Sequence, residues 1–244
     1  MWIKWILIFS VSLPAWAYNL TSDFQNGFYW ASLPIDITVV DRDETRKRLI
    51  ETIAKRAIGE WESSTGLSLW DYKESGTSNV IRWSENFGQE TNMDPLSVLA
   101  VAIRYTVGPY FAKTEIVING SHFLNHDLDH LYTTLTHEFG HTMGLDHSDS
   151  SLAVMAPTLQ DPYNGLQGDD VQGLQVAQNE MVDRQVNRYV SPLAYSKESS
   201  TTSPLSCGTV GASAPAGGGA MVSLAVGMLI GFVRKIFLWL KSLF

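Results

Sequence analysis

The chain has 244 residues, 45% of them hydrophobic and 11% aromatic, which suits one globular domain with a sizeable core and short appendages. Seventeen Lys and Arg face 25 Asp and Glu for a net charge of −8, and Lys4, Arg234, Lys235 and Lys241 near the two ends leave the body more acidic still. Such a body lacks the positive face that nucleic acid requires, so no nucleic-acid partner is expected, and a single cysteine, Cys207, excludes an internal disulfide.

In chain order, MWIKWILIFSVSLPAWA reads as a signal peptide: Lys4, an apolar run from Trp5 to Leu13, then Ala15-Trp16-Ala17 as a cleavage site. This predicts removal of residues 1–17 and export. LPIDITVV at 33–40 alternates through Ile35, Ile37 and Val39 as a strand. Asp43 or Thr45 could cap the helix that follows, with Leu49, Ile53, Ile58 and Trp61 on its apolar side and Gly66 at its end. LSLWDY and VIRW read as short strands, 85–96 as a loop, LSVLAVAIRY as a buried strand and TEIVIN at 114–119 as a sheet member.

Residues 127–143, DLDHLYTTLTHEFGHTM, predict a second helix with Asp127 as N-cap and Gly144 at its end. Leu128, Leu131, Leu135, Phe139 and Met143 share one stripe. At about 100° per residue, His137 and His141 lie roughly 200° and 240° from Leu135 and so leave that stripe. A third helix is predicted over 168–187, with Val171, Leu174, Val176 and Met181. Residues 191–219 are rich in Ser, Thr, Pro, Ala and Gly and read as a flexible linker.

The last segment, 220–244, is strongly apolar around Arg234 and Lys235. It reads either as a membrane anchor with a basic cytoplasmic side or as an amphipathic helix on the bilayer surface, so a membrane partner is expected. SCGTVGASAPAGGG followed by this segment resembles the C-terminal sorting signals of bacterial surface proteins, which implies a bacterial source and surface tethering.

The chemistry concentrates in HEFGHTMGLDHSDSSLAVM at 137–155. His137 and His141, at i and i+4, stand one above the other within reach of one ion. Zinc favours imidazole, and a catalytic zinc site keeps three protein ligands and one open position. Gly144 can take the left-handed conformation that turns the chain, so that His147 completes the set. Glu138, one residue round the helix, is placed to move a proton rather than to ligate.

HEFGHTMGLDH matches the H-E-x-x-H-x-x-G-x-x-H signature of the metzincin metallopeptidases, and Met155 in AVMAP sits where their methionine turn should. Ser148 directly after the third histidine and LQGDDVQGLQ at 166–175 resemble the matrixin, or matrix-metalloproteinase-like, branch; TEIVING and GEW are weaker echoes. The resemblance implies an α+β zincin catalytic domain over 18–190. Its twisted mixed sheet would pack on a long active-site helix and a C-terminal helix, with the hydrophobic tail beyond.

By that resemblance His137, His141 and His147 bind one zinc ion, Glu138 is the general base and Met155 supports the site. Asp169 and Asp170 either tie the third helix to the methionine turn or merely supply helix N-terminal charge. A protein or peptide substrate would add as a strand to a sheet edge, with TEIVIN the candidate edge, and a monomer is expected. No PRCGVPD-like segment is present, so latency through a propeptide thiol is not expected. His122, His126 and His130, beside Asp127 and Asp129, could imitate a second metal site, and calcium remains a candidate without assigned ligands. Pro157-Thr158-Leu159 stands where vertebrate members carry Pro and then Tyr, which leaves pocket size open. The expectation is an exported, membrane-tethered zinc endopeptidase; the alternatives are an inactive zinc-bearing adhesion module and a membrane-active protein acting through its tail.

Overall fold

A computed structural model describes residues 17–123, 128–195 and 205–210. The first half runs β1 (Asn19–Leu20), α1 (Ser22–Gln25), β2 (Tyr29–Trp30), β3 (Ile35–Val40), α2 (Glu44–Thr65), β4 (Trp70–Tyr72), β5 (Val80–Ser84) and α3 (Phe87–Thr91). Then come β6 (Val98–Val107), β7 (Tyr110–Asn119), α4 (Gly120–Phe123), α5 (Leu128–Thr142), β8 (Leu145–Asp146), α6 (Gly168–Asn187), a 3-10 turn at Pro192–Tyr195 and β9 (Leu205–Val210).

The main sheet has the order β4-β3-β5-β7-β6-β9, with β2 also paired to β7. β3, β4, β5 and β7 are mutually parallel where they pair, whereas β6 runs antiparallel to β7 and β9 antiparallel to β6. The alternation of β3 buries Ile35, Ile37 and Val39 against α2 and the core. Asp43, rather than Thr45, caps α2 by accepting from the Thr45 and Arg46 N–H groups, and Gly66 closes the helix in the left-handed region at φ 72°.

The buried stripe of α2 is Ile50, Ile53, Ala54, Ala57, Ile58 and Trp61. Leu49, assigned to that stripe from the sequence, is 38% exposed. Ile50 stands three and four residues before Ile53 and Ala54, in line with the seam, while Leu49 falls one residue off it.

Three further expectations change. Residues 85–96 are not purely a loop, because α3 folds within them. TEIVIN is not an edge: it belongs to β7, which is flanked by β5 and β6, its apolar residues buried in the middle of the sheet. The stretch read as flexible linker contains β9, paired to β6. The signal-peptide segment up to residue 16, the Asp127 cap and the tail at 220–244 lie outside the described residues. Among the described residues no helix is long and apolar enough to cross a membrane.

Helix α5 is buried along its length from Leu131 onward, so its final carbonyls need partners inside the protein. Each has one. The Phe139 oxygen accepts from Thr142 Oγ1 at 2.7 Å, that of Gly140 from Met143 N at 3.1 Å, and that of His141 from Gly144 N at 3.0 Å. The Trp30 indole donates to the Thr142 oxygen at 2.9 Å, and the Arg104 guanidinium on β6 donates to the His141 oxygen.

Arg104 also grips Asp23 through Nε–Oδ2 at 2.8 Å and Nη2–Oδ1 at 3.0 Å, both side chains being buried. Removing one partner of such a pair leaves a buried charge uncompensated. Asp23→Ala is therefore expected to cost about 3–5 kcal/mol of unfolding free energy. The double variant Asp23→Ala/Arg104→Met should regain part of it, as read by denaturant titration, though it also loses the Arg104 donor to the His141 oxygen; equal stability of Asp23→Ala and the parent chain would contradict the buried ion pair.

Candidate metal centre

His137, Glu138 and His141 all lie on α5 and are buried, at 1%, 0% and 0% exposure. The helix stops at Thr142 because Gly144 adopts φ 93°, open to glycine and costly for other residues. A Cβ at Gly144 would also fall 2.6 Å from Cδ2 of Phe24. The chain then passes through β8, which pairs antiparallel with β1 and delivers His147. The three histidines each offer a nitrogen within 4.8 Å of the others, and their ring centroids are 4.5, 5.2 and 5.1 Å apart.

Backbone carbonyls set the tautomers. His137 Nδ1 lies 2.7 Å from the Val154 oxygen and His141 Nδ1 lies 2.7 Å from the Leu145 oxygen. A carbonyl only accepts, so each Nδ1 carries the hydrogen and each Nε2 presents a lone pair. Both Nε2 atoms are buried without a hydrogen-bond partner. Burial, with His147 adding to it, pushes the His137 imidazole down to about 3, and burial together with His137 and His147 holds His141 well below its ordinary value. Two neutral imidazoles with unmet lone pairs, joined by a third, fit a zinc ion, whereas a hard cation would ask for oxygen.

The segment after His147 supports this group from behind. Ala153–Ala156 forms a tight buried turn, and Ser148 N donates to the Met155 oxygen at 2.8 Å. Met155 packs so closely on α5 that a Cβ at Gly140 would collide with its sulfur. Asp170 accepts from the Val154, Met155 and Gln167 N–H groups at 2.9, 2.9 and 2.8 Å. It thus joins the start of α6 to the methionine turn; burial raises its carboxyl while these three donors pull it back. Asp169 faces elsewhere: Ser148 Oγ donates to it at 2.6 Å, and Ala17 N and Tyr18 N at 2.6 and 2.9 Å.

Glu60 carries no signal in the sequence. Its Oε2 accepts from the hydroxyls of Tyr132 and Tyr163, the latter at 2.5 Å, and its Oε1 from Leu166 N at 3.3 Å. This one carboxylate binds the segment beyond the methionine turn to α2 and α5. Its place in GEW gives no hint of that, since only the fold brings the two tyrosines to it. Among the described residues His137, His141 and His147 form the one group able to hold a metal. Of the other proposed set, His126 lies outside the described residues and His130 Nε2 stands 3.5 Å from Asp161 Oδ2.

Gly144→Ala tests how the third histidine is delivered. The left-handed backbone costs about 1–2 kcal/mol for an L side chain, and the collision with Phe24 about 1–3 kcal/mol more. The variant is expected to melt several degrees lower and to bind zinc at least tenfold more weakly; parental affinity would contradict the arrangement.

The family described as Matrixin (Peptidase_M10) matches residues 29–177. Human matrix metalloproteinase-16 is 44% identical over 149 residues, covering 54% of this chain and 23% of its own length. Human matrix metalloproteinase-20 is 31% identical over 136 residues, covering 52% and 27%. Metalloendoproteinase 2-MMP of Arabidopsis thaliana is 25% identical over 137 residues, covering 52% and 36%. The chain therefore spans well under half the length of these relatives. The matched span runs from β2 into α6 and contains the whole histidine group, the methionine turn and Asp170, and on that match the chain belongs to the matrixin family.

Proposed function

We propose that the chain is an exported zinc endopeptidase that hydrolyses peptide bonds in protein substrates. The observation that carries this reading is the pair of buried, neutral imidazoles whose bare Nε2 atoms converge with His147 beside the buried Glu138. His137, His141 and His147 would hold the zinc, with Gly144, Met155, Asp169 and Asp170 supporting them. When bound, zinc would supply Lewis acidity, polarising a peptide carbonyl and acidifying water.

The remaining work falls to this chain's residues. Glu138 follows His137 on α5 and would take the proton from the attacking water, then return it to the departing amine. The two carbonyl-held imidazoles cannot rotate without losing a buried hydrogen bond, so the open side of the group keeps one direction. An extended substrate would add as a strand to β6, which Arg104 links to the end of α5. The retained base weighs against an inactive adhesion module, which would have no use for it.

Export rests on the leader-like first 17 residues, and the packing of Ala17 and Tyr18 is compatible with it. A cut after Ala17 would leave the Tyr18 nitrogen, 2.9 Å from Asp169, as an ammonium group and turn an ordinary hydrogen bond into a charge-assisted one. A bacterial source and a membrane tether rest on the composition of 191–244 alone.

Glu138→Ala is the direct test. It is expected to keep one zinc per chain and to lower casein hydrolysis by about 10²–10⁴-fold, the usual worth of a general base. A chelator should abolish hydrolysis by the parent chain and lower its melting temperature, with zinc restoring both. Undiminished hydrolysis by Glu138→Ala would refute the assigned base.

A further inference from the structure

The outer side of β6 is the edge an extended peptide would use, and the chain itself already occupies it. β9 pairs antiparallel with β6 in the register Arg104↔Leu205, Ile103↔Ser206, Ala102↔Cys207, Val101↔Gly208 and Ala100↔Thr209. The same backbone segment also lies against α5, the helix that carries His137, Glu138 and His141. β9 therefore lies beside both β6 and the helix that carries the histidines. We propose that β6 is a strand-docking surface for which Leu205–Val210 and an extended substrate compete, so that the full chain restrains its own activity. This rests on the protease reading above.

The competition follows from the hydrogen-bonding capacity of one edge. A strand edge offers a single row of N–H and C=O groups, and one added strand uses them up. Residues Val98 to Ile103 of β6 are all apolar, so an uncovered edge here would be long and apolar, the kind that attracts another strand.

The occupant is also tethered. The chain is fixed up to Ser191, where Tyr29 Oη donates to the Tyr189 oxygen at 2.7 Å and Ser191 Oγ to the Asn26 oxygen at 2.8 Å. Leu205 follows within the same chain, so β9 faces β6 at an effective concentration of about millimolar, and a dilute substrate must displace it.

Three features make that displacement feasible. Gly208 sits inside β9, where glycine weakens a strand, and the register shifts between Val98 and Ala100, leaving the pairing irregular near its end. The strand is short as well, at six residues.

The test compares two full-length variants with the parent. Ser206→Pro/Thr209→Pro removes two N–H donors at positions of opposite alternation, so at least one ladder bond is lost in either phase. Thr201→Pro/Thr202→Pro places two prolines outside the strand as the control. The readouts are hydrogen exchange of the Val98–Arg104 amides and kcat/KM for casein. Intact mass is recorded alongside, so that cleavage within the segment is not taken for its release.

The strand variant is expected to lose protection on β6 and gain about tenfold in kcat/KM, chiefly through KM, while the control matches the parent. Unchanged protection in the strand variant would overturn the proposal, and so would lost protection without a gain in kcat/KM over an active parent. A zinc-loaded strand variant that loses protection yet, like the parent, cleaves nothing would uphold the docking and overturn the protease reading instead.

Discussion

Two hydrogen bonds of 2.7 Å, from His137 Nδ1 to the Val154 oxygen and from His141 Nδ1 to the Leu145 oxygen, determine what this protein can do. They fix the tautomer, aim both Nε2 lone pairs at one point and hold the rings against rotation. Each acceptor lies outside α5, so neither bond exists until the chain beyond the helix has folded back upon it. The histidine group is thus a product of tertiary structure, although two of its three members share one helix.

The rest of the fold serves that return. Gly144 ends α5, β8 pairs with β1, and Asp170 reaches back from α6 to hold the N–H groups of Val154 and Met155. The Val154 residue that Asp170 anchors through nitrogen is the one that orients His137 through oxygen. A single carboxylate on α6 therefore reaches the candidate ligand His137 through one residue. On the other side Arg104 ties the His141 carbonyl to β6 and, through Asp23, to α1. Helix end, strand β6 and N-terminal segment meet at one guanidinium.

Much of this was legible in the sequence because it is local. The i, i+4 histidines, the glycine three residues after His141 and the caps of α2 depend on neighbours within one or two helical turns, where periodicity and capping rules apply. The long, regular pattern over 168–187 marks α6 over the residues it occupies. What the sequence hid is non-local. TEIVIN alternates like an edge strand, yet parallel β5 on one side and antiparallel β6 on the other make it central. Leu49 was one position off a seam whose phase only the packing partners define. Glu60 and its two tyrosines are separated by 72 and 103 residues. LSCGTV looked like linker because its strand character comes from the edge it joins.

On the proposed function, three imidazole nitrogens would hold one zinc ion and leave one position open beside Glu138. X-ray absorption at the zinc edge of the metal-loaded chain tests it most directly. The account predicts three imidazole nitrogens at about 2.0–2.1 Å and one exchangeable oxygen; a fourth protein side chain in the coordination shell, or fewer than three imidazoles, would contradict it.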